Sequence, residues 1–275
     1  MKNFLLIFIL IGCNCFSQNN FVVKYNYKSE RDSIKNIDTK EDVMNLILSN
    51  DQKIYVSENN LNRDLDKQKI KLSAEDMVKS GKIDLANINV TKSAFTYYIV
   101  DNFSDLSNQY YLKVVSDNFK FNLPKITIEW TLENETKYVN QIKLKKASTK
   151  LFNKEWIAWY SEDYEINKGP YLFDGLPGLI FELYDTNNYY SWNLTEIKTI
   201  DLIKPVSEVI TKTYVNTNDI KLEDLNKILK FYHFDRVGFN ESKGRYLDEN
   251  TKRLKEEEEK RKQRVFLDNR IYYFF

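Results

Sequence analysis

The 275 residues carry 41 Lys and Arg against 40 Asp and Glu, so the chain lacks the cationic excess that neutralising a nucleic-acid backbone requires. Its lone imidazole, His233, excludes any site that needs two. Nineteen Tyr and 17 Phe beside only seven Gly favour strands with aromatic faces over a helical bundle. Met1-Lys2-Asn3 followed by the apolar run Phe4 to Ile11 reads as a secretory leader over residues 1–17, because the run is too short to span a bilayer. Small side chains at Cys15 and Ser17 favour cleavage before Gln18. The rival reading takes Leu10-Ile11-Gly12-Cys13 as a lipobox, with a lipid anchor at Cys13. Either way the product is exported, to the periplasm, the outer membrane or the medium. A chain starting at Gln18 has 258 residues, balanced at 40 basic against 40 acidic. It has no thiol, so Cys nucleophiles, Cys-held zinc and disulfides are excluded, and no cofactor or metal is expected.

Beyond the leader, Phe21 to Lys28 alternates as a first strand. Val43 to Leu48 and Gln52 to Ser57 flank Ser49-Asn50-Asp51 as a hairpin. Asn62 to Ser80 is polar and expected to be helical in its second half, capped by Ser73 and stopped at Gly81. Strands are expected at Phe95 to Val100, Gln109 to Ser116, Lys125 to Leu132, Gln141 to Leu151 and Glu155 to Glu162. Leu179 to Asp185 and Tyr189 to Ile200 pair across Thr186-Asn187-Asn188, and Glu208 to Tyr214 reads as one more strand. Asn218 is placed to cap a helix over Ile220 to Tyr232. Thr251 to Arg264 is read as a solvated, charge-paired helix, and Ile271 to Phe275 as a last strand. No mature segment is apolar enough to be a transmembrane helix. With no linker or repeat, residues 18–275 form one domain. The expected fold is mainly β (α+β): a curved, largely antiparallel sheet or half-barrel with a few covering helices.

Backbone punctuation crowds into Gly169 to Gly178 (GPYLFDGLPG), where Gly169, Pro170, Gly175, Pro177 and Gly178 shape a structural turn. Leu176-Pro177-Gly178-Leu179 fits a type II turn, with Gly178 supplying a positive φ at its third position. Together with Ala147-Ser148-Thr149, the stretch Trp156 to Tyr160 and Gly169-Pro170-Tyr171, the hexapeptide Gly175-Leu176-Pro177-Gly178-Leu179-Ile180 resembles the GLPGLI family of the Bacteroidota cell envelope. The resemblance is specific over about residues 140–200 and looser from Phe21 onward. It implies export, a β-rich domain and company with envelope transport receptors, and it supplies no reaction. Lys145-Lys146 stands where many members carry a Cys, so any role of that thiol does not transfer.

Two functional readings remain open on the residues. In the first, Trp156, Trp159, Tyr171, Phe173 and Asp174 line a groove beside the loop and bind a peptide, a glycan or an outer-membrane receptor. The bland counterpart makes these aromatics core and Asp174 a turn-capping residue. In the second, two of Glu162, Asp163, Glu165, Asp174, Glu182 and Asp185 form a carboxylate hydrolase acting on polysaccharide. The segment around Asp185 and Asn187 lacks the ligand density of a calcium loop. A non-enzymatic binding or accessory role is preferred, linked to receptor-mediated uptake.

Overall fold

The computed structural model describes residues 20–33, 36–80, 90–200 and 204–245, together with Glu256. The leader, the Gly81 stop, the full 251–264 helix and the 271–275 strand lie outside the described residues. Among the described residues, twelve strands form one open, mostly antiparallel sheet, accompanied by four helices. In chain order they are β1 (Asn20–Ser33), β2 (Asn36–Leu48), β3 (Gln52–Ser57), α1 (Glu58–Ser80), β4 (Tyr97–Asn102), β5 (Ser107–Val114) and β6 (Asp117–Pro124). Then follow β7 (Thr131–Val139), β8 (Ile142–Leu151), β9 (Lys154–Ser161), β10 (Leu179–Asp185) and β11 (Tyr190–Ile200). The chain continues with α2 (Lys204–Thr213), β12 (Asn218–Asp219), α3 (Leu222–Phe234) and α4 (Arg236–Ser242).

Two meanders make the sheet. The first runs outward from β1 to β6; the second begins at the opposite edge with β7 and returns to pair β11 with β1. The sheet must curl for this path to close. Ten strand spacings separate β6 from β7, about 48 Å if the sheet lay flat. The connector, residues 125–130, reaches at most about 25 Å.

Residue parity then sorts side chains onto two faces. Leu46, Tyr55, Ile99 and Tyr110 belong to the large inner core, while their neighbours Ile47, Ile54, Val56, Tyr98 and Val100 form a second cluster on the outer face. Leu61 of α1 and Val206 and Ile210 of α2 cover that outer cluster, with Tyr214 just beyond α2. Leu225 of α3 and Phe239 of α4 join the inner core. Two hairpins are closed by paired left-handed residues, Asn140-Gln141 between β7 and β8 and Phe152-Asn153 between β8 and β9. That is the turn whose twist matches a strand pair.

The structure corrects several sequence expectations. Of the expected strand Glu208 to Tyr214, all but Tyr214 is helical: Val206, Val209, Ile210 and Tyr214 recur at helical spacing on the covered face, overriding the β-branched composition. Helix α1 starts at Glu58, well before Ser73. Asn218 caps nothing; it pairs in parallel with β6, and α3 begins after Lys221. Lys125 to Leu132 alternates as read, with Ile126, Ile128 and Trp130 packed on the core, but the stretch to Trp130 is an unladdered connector and the strand begins at Thr131. Strand β7 is mostly exposed and gives no alternation to read.

Candidate functional site

The loop from Glu162 to Gly178 enters the curl of the sheet and fills it. Tyr171, Leu172, Phe173 and Leu176 are buried in the inner core, where Phe173 lies 4.7 Å from the Trp156 ring and 6.0 Å from Trp192. Trp156 and Phe173 are fully buried, and Tyr171 and Trp159 are 7% and 9% exposed, so all four aromatic groove candidates belong to the core, as their bulk dictates. Tyr171 sits at φ 55°, and its carbonyl accepts a bond from Lys53 at 3.3 Å. Pro170 and Pro177 flank the loop's two close approaches.

Those approaches explain the glycines. A Cβ on Gly169 would stand 2.1 Å from the Phe173 carbonyl oxygen, and one on Gly178 would stand 2.1 Å from that of Ser161. Gly178 does not have a positive φ, so the type II assignment fails. The left-handed glycine is Gly175, at φ 98°. Gly178 is required because β10 departs against the end of β9, where Leu179 pairs with Ser161.

Asp174 organises the loop. Its Oδ1 accepts the Gly169 amide at 2.9 Å, the turn-capping role read from the sequence, and its carbonyl oxygen accepts the Trp130 indole N–H at 2.9 Å. Lys53 of β3, 1% exposed, reaches both carboxylate oxygens at 2.7 and 2.8 Å. Lys168 then bridges Asp174 and Asp101, at 3.3 and 3.2 Å, and Lys125 lies 2.7 Å from Asp101. Burial alone would raise the Asp101 carboxyl, but Lys125, Lys53 and Lys168 outweigh it and hold Asp101 below the usual carboxylate range. Burial likewise opposes the Lys168 charge, and Asp174 and Asp101 overcome it, raising that ammonium above its usual value. The network ties the loop to β3, β4 and the connector. Sequence reasoning missed Lys53, Asp101, Lys125 and Lys168. One signal existed: Lys53 shares the inward parity of Tyr55, an apolar phase where a lysine needs a buried partner.

Trp159 has a different setting from Trp156. It pairs in register with Glu182 of β10 and Lys146 of β8, with the Lys137 ammonium 4.3 Å above its ring and the Tyr184 hydroxyl 3.4 Å from its indole N–H. Its parity turns it away from Trp156 and Ala158, toward the face that carries half-buried Ile157 and Tyr184. The sequence-flagged acids divide among separate partners: Glu162 with Lys145 at 2.6 Å, Glu182 with Lys137 at 2.5 Å, and Asp185 with the Tyr190 amide at 2.7 Å.

No protein-family model matches the chain, and no curated protein matches it. Solved structures of related shape include PNGF-II in two crystal forms, C2 and P21, each 14% identical with a TM-score of 0.48. The aligned part covers 76% and 77% of this chain but 32% and 33% of theirs, so the chain spans about a third of their length.

Proposed function

We propose that this is an exported cell-envelope protein of GLPGLI type that binds a partner or ligand without chemistry of its own, in the service of outer-membrane receptor-mediated uptake. The observation that carries the reading is the dispersal of the flagged acids. Asp174, Glu162, Glu182 and Asp185 each bind a different lysine or backbone amide. A glycosidase needs two carboxyl groups facing one bond, one of them protonated. Here the carboxylates act as ties within the sheet and loop. This proposal puts binding at the face around Trp159, Tyr184 and Ile157, where the indole is only 9% exposed under Lys137, so a peptide or sugar ring must displace that lysine to stack on it.

The test is capture of a partner from solubilised outer membranes. Co-purification of a receptor is expected, lost in Trp159→Ala and kept in Glu162→Gln. Release of reducing sugar from polysaccharide, abolished by a single Asp or Glu substitution, would instead establish the hydrolase. Mass spectrometry of the mature N-terminus distinguishes cleavage before Gln18 from a lipid anchor at Cys13.

A further inference from the structure

A second region carries chemistry that the Trp159 reading does not use. Helix α1 packs onto the sheet with a polar stripe: Asn60, Arg63 and Asp64 are buried, and Lys67 continues the same face. Apolar residues normally occupy that position on a covering helix. Arg63 binds Asp64 through Nε and Nη2 at 3.0 and 2.9 Å, and Asp64 accepts the Tyr98 hydroxyl at 3.0 Å. The Tyr98 ring meets the Tyr214 ring at 5.8 Å, Tyr214 meets Tyr111 at 5.4 Å, and the Lys120 ammonium stands 5.7 Å from the Tyr111 ring. Lys113 shares that face of β5 with Tyr111. Its register partner Asn118 donates to the Thr213 carbonyl at 2.9 Å, which fixes the end of α2 over the patch.

Two observations mark this patch. Among the described residues, neither Lys67, Lys113 nor Lys120 has a carboxylate within ion-pair distance, although most described lysines on the sheet do. The Tyr214 hydroxyl and both amide atoms of Asn60 are buried without any hydrogen-bond partner. Such groups are rare in native proteins unless water or a ligand satisfies them. Burial, and then the Arg63 and Lys113 charges, push the Lys67 ammonium below its usual value, and the Asp64 charge only partly offsets them.

We propose that the outer face of β5 and β6, between α1 and the end of α2, binds a phosphate group held by Arg63, Lys67, Lys113, Lys120 and the Tyr214 hydroxyl. Four cations share this face with two carboxylates, Asp64, which is held by Arg63 and Tyr98, and Asp219, the register partner of Lys120, and a phosphate supplies further negative charge and several acceptor oxygens at once. The group is either free inorganic phosphate or the headgroup of a phospholipid. This proposal is independent of the Trp159 surface.

The experiment is titration of the folded protein with inorganic phosphate, against sodium chloride at matched ionic strength. Saturable binding is expected. Lys113→Gln with Lys120→Gln is expected to weaken it at least tenfold. Tyr214→Phe keeps the ring contacts and deletes an unsatisfied hydroxyl, so its melting temperature without phosphate should hold or rise while affinity falls about threefold or more. A second arm uses vesicles of neutral phosphatidylcholine with and without an anionic phospholipid. Binding to anionic vesicles that phosphate competes away assigns the headgroup; phosphate binding without vesicle binding assigns the free ion. Phosphate that acts no differently from chloride, or lysine and tyrosine variants that bind like wild type, overturns the proposal.

Discussion

Alanine at Gly178 and at Gly175 separates the two roles a glycine can have in this loop. At Gly178 the added carbon would meet the Ser161 carbonyl oxygen at 2.1 Å, its carbon at 2.6 Å and the Glu162 nitrogen at 2.9 Å, all backbone. Nothing there can rotate aside, so β10 must shift by about 1 Å relative to β9. Overpacking of this kind costs roughly 1–3 kcal/mol. A disturbed strand bond beside Leu179 adds about 1 kcal/mol, for a total of about 2–4 kcal/mol. At Gly175 the nearest atom to the new carbon is Trp130 Cδ1 at 4.0 Å, so space is free and only the left-handed φ is penalised, by about 1–2 kcal/mol. Urea unfolding followed by tryptophan fluorescence reads both. With a slope near ~3 kcal/mol/M, the Gly178 variant should lose about 1 M in midpoint and the Gly175 variant about half that, at unchanged slope. A Gly178→Ala midpoint equal to or above that of Gly175→Ala would refute the close-approach account.

Removing the buried lysine by Lys53→Met leaves Asp174 with Lys168 as its remaining lysine partner. It should cost about 2–4 kcal/mol, below the full penalty of a broken buried pair because Asp174 is 24% exposed. Adding Asp174→Asn should recover part of that loss, and a double-mutant cycle in urea measures it. Asp101 has a folded pKa below its unfolded value, so its contribution is complete above about pH 4 and is lost as pH falls through the lower folded value. Asp101→Asn should therefore flatten the acid limb of a stability-against-pH curve without changing its sign elsewhere. Trp156→Ala, fully buried, should cost about 3–5 kcal/mol, and Trp159→Ala clearly less, as compared by melting temperature.

The strands beside recognisable turns were legible. Gln52–Ser57 after Ser49-Asn50-Asp51 and Leu179–Asp185 before Thr186-Asn187-Asn188 fall where those turns put them. The meander order was not, since antiparallel register follows from hairpins whose edges carry no sequence mark. Strand β7 escaped because an exposed edge has no buried face to impose a period. Within the site, the loop's rigidity was readable from its Gly and Pro content, and the capping role of Asp174 from its chemistry. The ion network was not: Lys53 and Asp101 are register partners on β3 and β4, but Lys125, Lys168 and Asp174 reach them only through the folded connector and loop. Polar packing under α1 likewise defeats an amphipathicity search, which finds no apolar stripe to place.

The position of β1 bears on how the molecule is made. Phe21 pairs with Leu48 on one side and with Thr199 on the other, so β1, first in chain order among the described strands, sits mid-sheet and waits for β11. At ~5–20 residues per second, the chain from β2 to β11 takes roughly 10–30 s to emerge. Throughout that interval the nascent first meander presents an open strand edge ten partners long, the geometry that templates aggregation. Refolding yields that fall steeply with protein concentration follow from a topology in which β1 and β11 must meet at the centre of the sheet.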